Sequence, residues 1–306
     1  MRSVKFINCT KEKMYIMNHL IQETRRTNRR HAFICTAITL IAMLQLGGIS
    51  AQTEEEAFSE LNWMEGPVTA KVGLLAEQKV PEGFVFLEEK DARKLLELTK
   101  NLSDNSDVGV IMPVDRSWWA CYQYADCGYV SDSEKNSLDA DEILKALKEG
   151  NCEGNAERRR RGFPEMELIG WAVPPHYDEV THNLEWATKL TSDDGGLVVN
   201  YNTRILGRGG VMSVILVCEP GELEAVLPQF KTALNGFDYR AGYRYREYRS
   251  GDPLADIGLT ALIVGGAAAV GAKAGLFKSL WKFIVAGALA IGAFFKKLFG
   301  GKKQDQ

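Results

Sequence analysis

The residues best equipped for chemistry fall in one short window: His176, Asp178, Glu179, His182 and Glu185. Two imidazoles with neighbouring carboxylates have the right atoms for a zinc site or a general acid/base pair. Their spacing fits no helix-borne zinc motif, and Pro174-Pro175 immediately before them excludes a regular helix. On an extended strand the gap from His176 to His182 puts both rings on one face but about 20 Å apart. They meet only if the PHYDEVT segment between them turns. The competing structural reading makes His176 a turn residue and pairs His182 with a carboxylate. The candidate catalytic residues are His176, Asp178 and His182, and no metal is assigned to them.

A second constellation follows. Arg204 and Arg208 flank the glycine turn Gly207, Gly209 and Gly210, where backbone N–H groups can hold an anion. Hairpins use glycines in the same way to reach positive φ, so a structural turn explains the pattern equally. Arg158 to Arg161 are four consecutive cations, which a helix spreads around its surface. They read as a solvated face with one arginine buried in an ion pair, or as a contact for anionic lipid. Cys121, Cys127, Cys152 and Cys218 lack CxxC spacing and read as free thiols, with one disulfide allowed. No P-loop, dinucleotide fingerprint, nucleophile elbow or thioredoxin pair is present, so no cofactor is called for.

The elements that must position these residues alternate between strands and helices. Gly66 to Glu88 holds two or three short strands around a Pro81-Glu82-Gly83 turn. Glu89 to Leu102 is helical by its spacing of Ala92, Leu95, Leu96 and Leu98. Asp107 to Asp115 and Trp118 to Val130 are rich in β-branched and aromatic residues and read as paired strands. Ser137 to Asn151 is a helix capped by Asp139 and stopped by Gly150, with a second helical run from Cys152 to Gly162. Met166 to Val173, Leu184 to Lys189, Leu197 to Leu206 and Val211 to Val217 are strands joined by sharp turns, and Glu219 to Gly236 is an amphipathic helix. A short acidic helix is expected at Thr53 to Glu65. Trp118, Trp119, Trp171 and Trp186 read as core. No regular βαβ series appears, which predicts an α+β class with a mainly antiparallel sheet in one domain.

Charge sets the context. The chain of 306 residues has a net charge of −3. Residues 1 to 31 carry eight Lys/Arg against two Glu, and residues 273 to 306 carry seven Lys against one Asp. Each end is therefore +6, leaving −15 on the middle. Basic ends beside apolar runs are a membrane pattern, and an acidic middle repels nucleic acid. The lipid bilayer is the expected partner, with other envelope proteins or self-association besides. The basic region ending in RRTNRRH and the apolar run Ala32 to Gly48 read as a signal sequence ending near Ala51, or as an uncleaved anchor. Leu276 to Phe295 is long enough to cross a bilayer, and Leu254 to Ala272 nearly so. One span with the other run packed on it, or a hairpin of two, are both open. Tyr243, Tyr245, Trp281, Lys296 and Lys297 are the expected interface residues.

The run DGGLVVNYNTRILGRGGVMSVILV, a helix, and then GFDYRAGYRYREYRSGDPLADIGLTALIVGG together resemble an uncharacterised family of bacterial membrane-anchored proteins catalogued as a domain of unknown function. The segments VPEGFVFLEEKDARKLL and ERRRRGFPEMELIGWAVPPHYDEVTHNLEWA fit the same pattern. The resemblance implies an envelope protein of Gram-negative-type bacteria and supplies no activity, cofactor or catalytic residue. The expected organisation is a leader and signal over 1–51, an exported domain over 52–253 and an anchor with a basic tail over 254–306. Binding or scaffolding in the periplasm at the inner membrane is the expected role. The rival is a hydrolytic or metal-dependent envelope enzyme centred on His176 and His182.

Overall fold

The computed structural model describes residues 57–193 and 195–265, all but Ala57 within the compact unit Phe58–Gln306. Eleven strands form two antiparallel sheets among these residues. The large sheet has the order β1 (Met64–Glu65), β4 (Phe84–Glu88), β5 (Asp107–Pro113), β6 (Trp119–Ala125), β10 (Val211–Cys218), β9 (Leu197–Leu206), β8 (Asn183–Ser192) and β7 (Met166–Asp178). The small sheet runs β11 (Phe237–Tyr239), β3 (Ala76–Val80) and β2 (Val68–Val72). The expected α+β class with an antiparallel sheet is what the chain adopts.

Each face of the large sheet is covered by a different layer. On one face lie α1 (Glu89–Leu98), α2 (Ala140–Arg161) and α4 (Leu259–Val264), which bury Ala92, Leu95, Leu96, Ile143, Leu147, Leu259 and Leu262 against it. On the other lie the small sheet and α3 (Leu223–Leu234), through Ala70, Val72, Val80, Val226 and Phe230. Central strands covered on both sides lose the polar/apolar alternation, and all eight residues of β10 are buried.

Three elements differ from the sequence expectation. Gly150 does not stop a helix: α2 runs unbroken for 22 residues from its Asp139 cap to Gly162, whose φ of 68° supplies the left-handed terminus. The cost of an internal glycine, about 1 kcal/mol, is offset by contacts on either side of it. Ile143 and Leu147 are buried, and Asn151 and Asn155 both donate to the Met166 carbonyl at 2.7 and 2.8 Å. Near Thr53 to Glu65, only residues 57–59 of the described chain are helical, and Met64–Glu65 pairs with β4. The strand expected to end at Val173 continues through Pro174 and Pro175 to Asp178. That is allowed because β7 is an edge strand with three bulges, where a missing N–H costs no ladder bond.

The C-terminal part of the described chain is strapped onto the sheet. Tyr129 N–H donates to Pro253 O, and Ala255 N–H to Tyr129 O, at 2.8 and 2.9 Å. Beyond the strap, Ile257, Leu259, Leu262 and Ile263 are buried, with α4 packed on α2. The stretch 257–265, within the segment assigned to the anchor, thus packs into the core through these residues, while Leu254 and Asp256 before it are exposed; the rest of that segment lies outside the described residues. Among the described residues no helix is long and apolar enough to cross a membrane, and the runs 32–48 and 276–295 lie outside them. Leu262→Ala is expected to destabilise the domain by about 2–5 kcal/mol, as for other buried leucines. Chemical denaturation of the full chain measures this, and a loss under about 0.5 kcal/mol would remove α4 from the core.

Candidate functional site

The β7–β8 hairpin brings His176 directly opposite Glu185 in register. Glu185 faces α3, and its side chain is buried. Its Oε2 accepts from Tyr201 Oη of β9 at 2.5 Å and from Lys231 Nζ of α3 at 2.8 Å. His176 Nε2 stands 3.6 Å from the same oxygen. Three elements, β7, β9 and α3, therefore converge on one carboxylate oxygen of β8. The solvent-facing side of this assembly, its mouth, is formed by His176 and Lys231, whose side chains are 47% and 42% exposed. Lys231 also lies 5.9 Å from the Tyr201 ring centroid. Burial first, then the bond to Glu185 and its charge, pushes the Tyr201 phenol well above its usual range, so it stays a donor.

Sequence reasoning named His176 and Glu185 but missed Lys231, which is 46 positions from Glu185. Its only signal is its place on the amphipathic helix. The rest of the window does other work. Asp178 accepts the Val180 and Thr181 N–H groups at 2.8 and 3.1 Å and shapes the turn. Those bonds, Thr181 first, hold its carboxyl below the ordinary value. His182 sits in that turn with φ 57°, and its Nδ1 is 3.3 Å from Tyr177 Oη, which donates to Asp132 at 3.0 Å. His182 also approaches Tyr245, within the aromatic group of Tyr129, Tyr245 and Tyr248. The two histidines thus serve opposite faces of the sheet and do not form one site. Among the described residues no group of three His, Cys, Asp or Glu is placed to hold a metal.

The arginine pair is also divided. Arg204 points into the helix-side core with its guanidinium 4.5 Å over the Trp186 ring, and burial lowers its pKa to about 9. It is not beside a solvent-facing anion cradle, because strand alternation turns it inward. Arg208 makes a two-toothed pair with Asp252 at 2.6 Å on each arm and donates to Gly242 O. It locks the strap to the glycine turn. The four-arginine run resolves into Arg158 buried and bonded to Pro164 O, and the other three in ion pairs with Glu165 and Glu157. Arg158 is therefore not a surface charge; burial lowers its pKa to about 10.

The expected interface tyrosines are placed unequally. Tyr243 is exposed, whereas the Tyr245 ring stacks on Tyr129 at 4.6 Å and 8°. Trp281, Lys296 and Lys297 lie outside the described residues. Cys121, Cys127, Cys152 and Cys218 are free thiols. A groove of about 400 Å³ lies between α2 and α4, with Glu134, Asp139 and Glu142 on its rim. Asp139 there is already the α2 cap, and Glu134 accepts from Thr260 N–H at 3.0 Å.

Comparison with known proteins adds a family. The model described as "Protein of unknown function (DUF2167)" matches residues 64–295. The chain belongs to that family. No curated protein matches. Among solved structures, the chain is similar to cyanobacterial PsbP (CyanoP) from Synechocystis sp. PCC 6803, with 13% identity, 58% of this chain and 92% of that chain covered, and a TM-score of 0.33. It is similar also to a protein of unknown function, PA94 from Pseudomonas aeruginosa, described as a putative regulator, at 10% identity, with 55% of this chain and 92% of that chain covered and a TM-score of 0.23.

Two outcomes test this geometry. Tyr201→Phe and Lys231→Met remove donors to the same oxygen, so their effects on stability should couple by about 0.5–3 kcal/mol in a double-mutant cycle. Simple additivity would mean the shared oxygen is not organising them. Arg208 depresses the Asp252 carboxyl to about 2. A depressed folded pKa gives stability that is full above the unfolded value of about 4 and lost as pH falls towards 2. Asp252→Asn should flatten the acid limb of the unfolding curve in that window, and an unchanged limb would show that the pair is inert.

Proposed function

We propose that this chain is a tethered recognition module of a bacterial envelope. Its folded domain is exported to the periplasm, its C-terminal apolar segment holds it at the inner membrane, and it binds or scaffolds other envelope components. The tether and compartment rest on the sequence: apolar runs flanked by cations at both ends, around a domain of opposite charge.

The observation that carries binding over catalysis is the committed state of Glu185. Its Oε2 accepts two short bonds, one of them from an ammonium group. That oxygen is already occupied by donors of the protein itself, which leaves it less free to attack a substrate or to take a proton from one. The division of His176 and His182 between two faces supports the same reading. What stays accessible is a pair of half-exposed polar side chains, Lys231 held by the buried Glu185 and His176 by the Pro174 carbonyl, which is how a recognition surface is preorganised.

The test uses the full chain in intact cells. It should stay with membranes through salt and alkaline washing, and crosslinking should yield species heavier than the monomer. Recovery only as a washed-off monomer would overturn the proposal. Metal analysis of the purified chain, with His176→Ala and His182→Ala beside it, tests the enzyme alternative. A stoichiometric metal lost in both variants would replace binding with metal-dependent catalysis.

A further inference from the structure

His176 has a defined hydrogen-bonding direction. Its Nδ1 lies 3.2 Å from Pro174 O, and a carbonyl oxygen only accepts, so Nδ1 carries the proton. In the neutral ring Nε2 is then the acceptor, and it stands 3.6 Å from Glu185 Oε2. Two acceptors facing each other at that distance call for a donor beside them. Next to them, Lys231 Nζ spends one N–H on Glu185 and has two more to give. An acceptor and a donor therefore stand side by side at the open mouth. On the next strand, further from His176, Thr203 is fully buried opposite Glu185 in the β8–β9 register, and its hydroxyl has no hydrogen-bond partner among the described residues.

Resting on the binding reading above, we infer that this mouth, where His176 and Lys231 meet over Glu185, binds a hydroxyl-bearing ligand of the carbohydrate class. A hydroxyl is the group that donates to Nε2 and accepts from Nζ at once. A free anion fits poorly, because Glu185 and Asp178 outweigh the single Lys231 charge. A metal ion fits poorly as well, because the Lys231 ammonium is already on the oxygen that would bind it.

NMR of the full chain in detergent, with labelled histidine rings, tests the inference. Glucose, N-acetylglucosamine and inorganic phosphate are titrated separately into the millimolar range. A sugar should shift the His176 ring signals to saturation and leave His182 in place. Lys231→Met should weaken binding, read from the His176 ring, by up to about tenfold, one hydrogen bond's worth; unchanged His182 signals verify that this variant is folded. Shifts with phosphate alone would make this an anion site and overturn the inference, as would no shift with either sugar. Crosslinked partners that persist while sugars fail would leave the module standing without this site; loss of both would sink both.

Discussion

The structure depends on strand β10 being paired on both edges and covered on both faces. It lies between β6 and β9 in continuous antiparallel register, and burying its two faces requires a layer on each side of the sheet. One layer is α1, α2 and α4, and the other is the small sheet with α3. A strand so enclosed must satisfy every backbone group in the ladder and leave little room for uncompensated polar atoms. Its single polar side chain, Ser213, stands between Gln123 and Arg204 in register. That row continues to Asp107, whose carboxylate accepts from Gln123, Ser103 and the Asp104 N–H. Polar groups in the interior are thus organised as a row across neighbouring strands.

Glu185 repeats this logic nearer the sheet edge. A buried carboxylate is tolerable only when it is hydrogen-bonded and paired. Tyr201 from the neighbouring strand and Lys231 from α3 provide that, and in doing so they fix the helix against β8 and β9. The edge strand β7 then lays His176 over the assembly. Its bulges and prolines blunt it against pairing with other chains and set its side chains at a register that a regular strand would not give.

Much of the fold was legible in the sequence because it rests on short-range signals. The Asp139 cap, the apolar spacing in α1, the β-branched runs and the SDDGG turn each act through neighbours within a few positions. The end of α2 was misread at Gly150, because asparagines reaching to Met166 outweigh a local helix penalty. The extent of β7 was misread at Pro174, because whether a proline is harmful depends on which strand is at the edge. Of the site, His176 and Glu185 were visible as a histidine near a carboxylate. Their union with Lys231 was not, because nothing in a linear pattern says which turn of a distant helix faces a given strand.

The sequence by itself determined the charge layout, the succession of strands and helices, and the types of residue able to do chemistry. These follow from composition and from periodicities of 2 and 3.6 residues, which are properties of the local backbone. Only the tertiary structure decided which of those residues meet. It separated His176 from His182 by sending them to opposite faces, turned Arg204 inward and Arg208 onto Asp252, and drew Ile257, Leu259, Leu262 and Ile263 into the core. Each decision turns on burial and on partners far apart in the chain. A side chain's role follows from what it is packed against, and sheet order settles that.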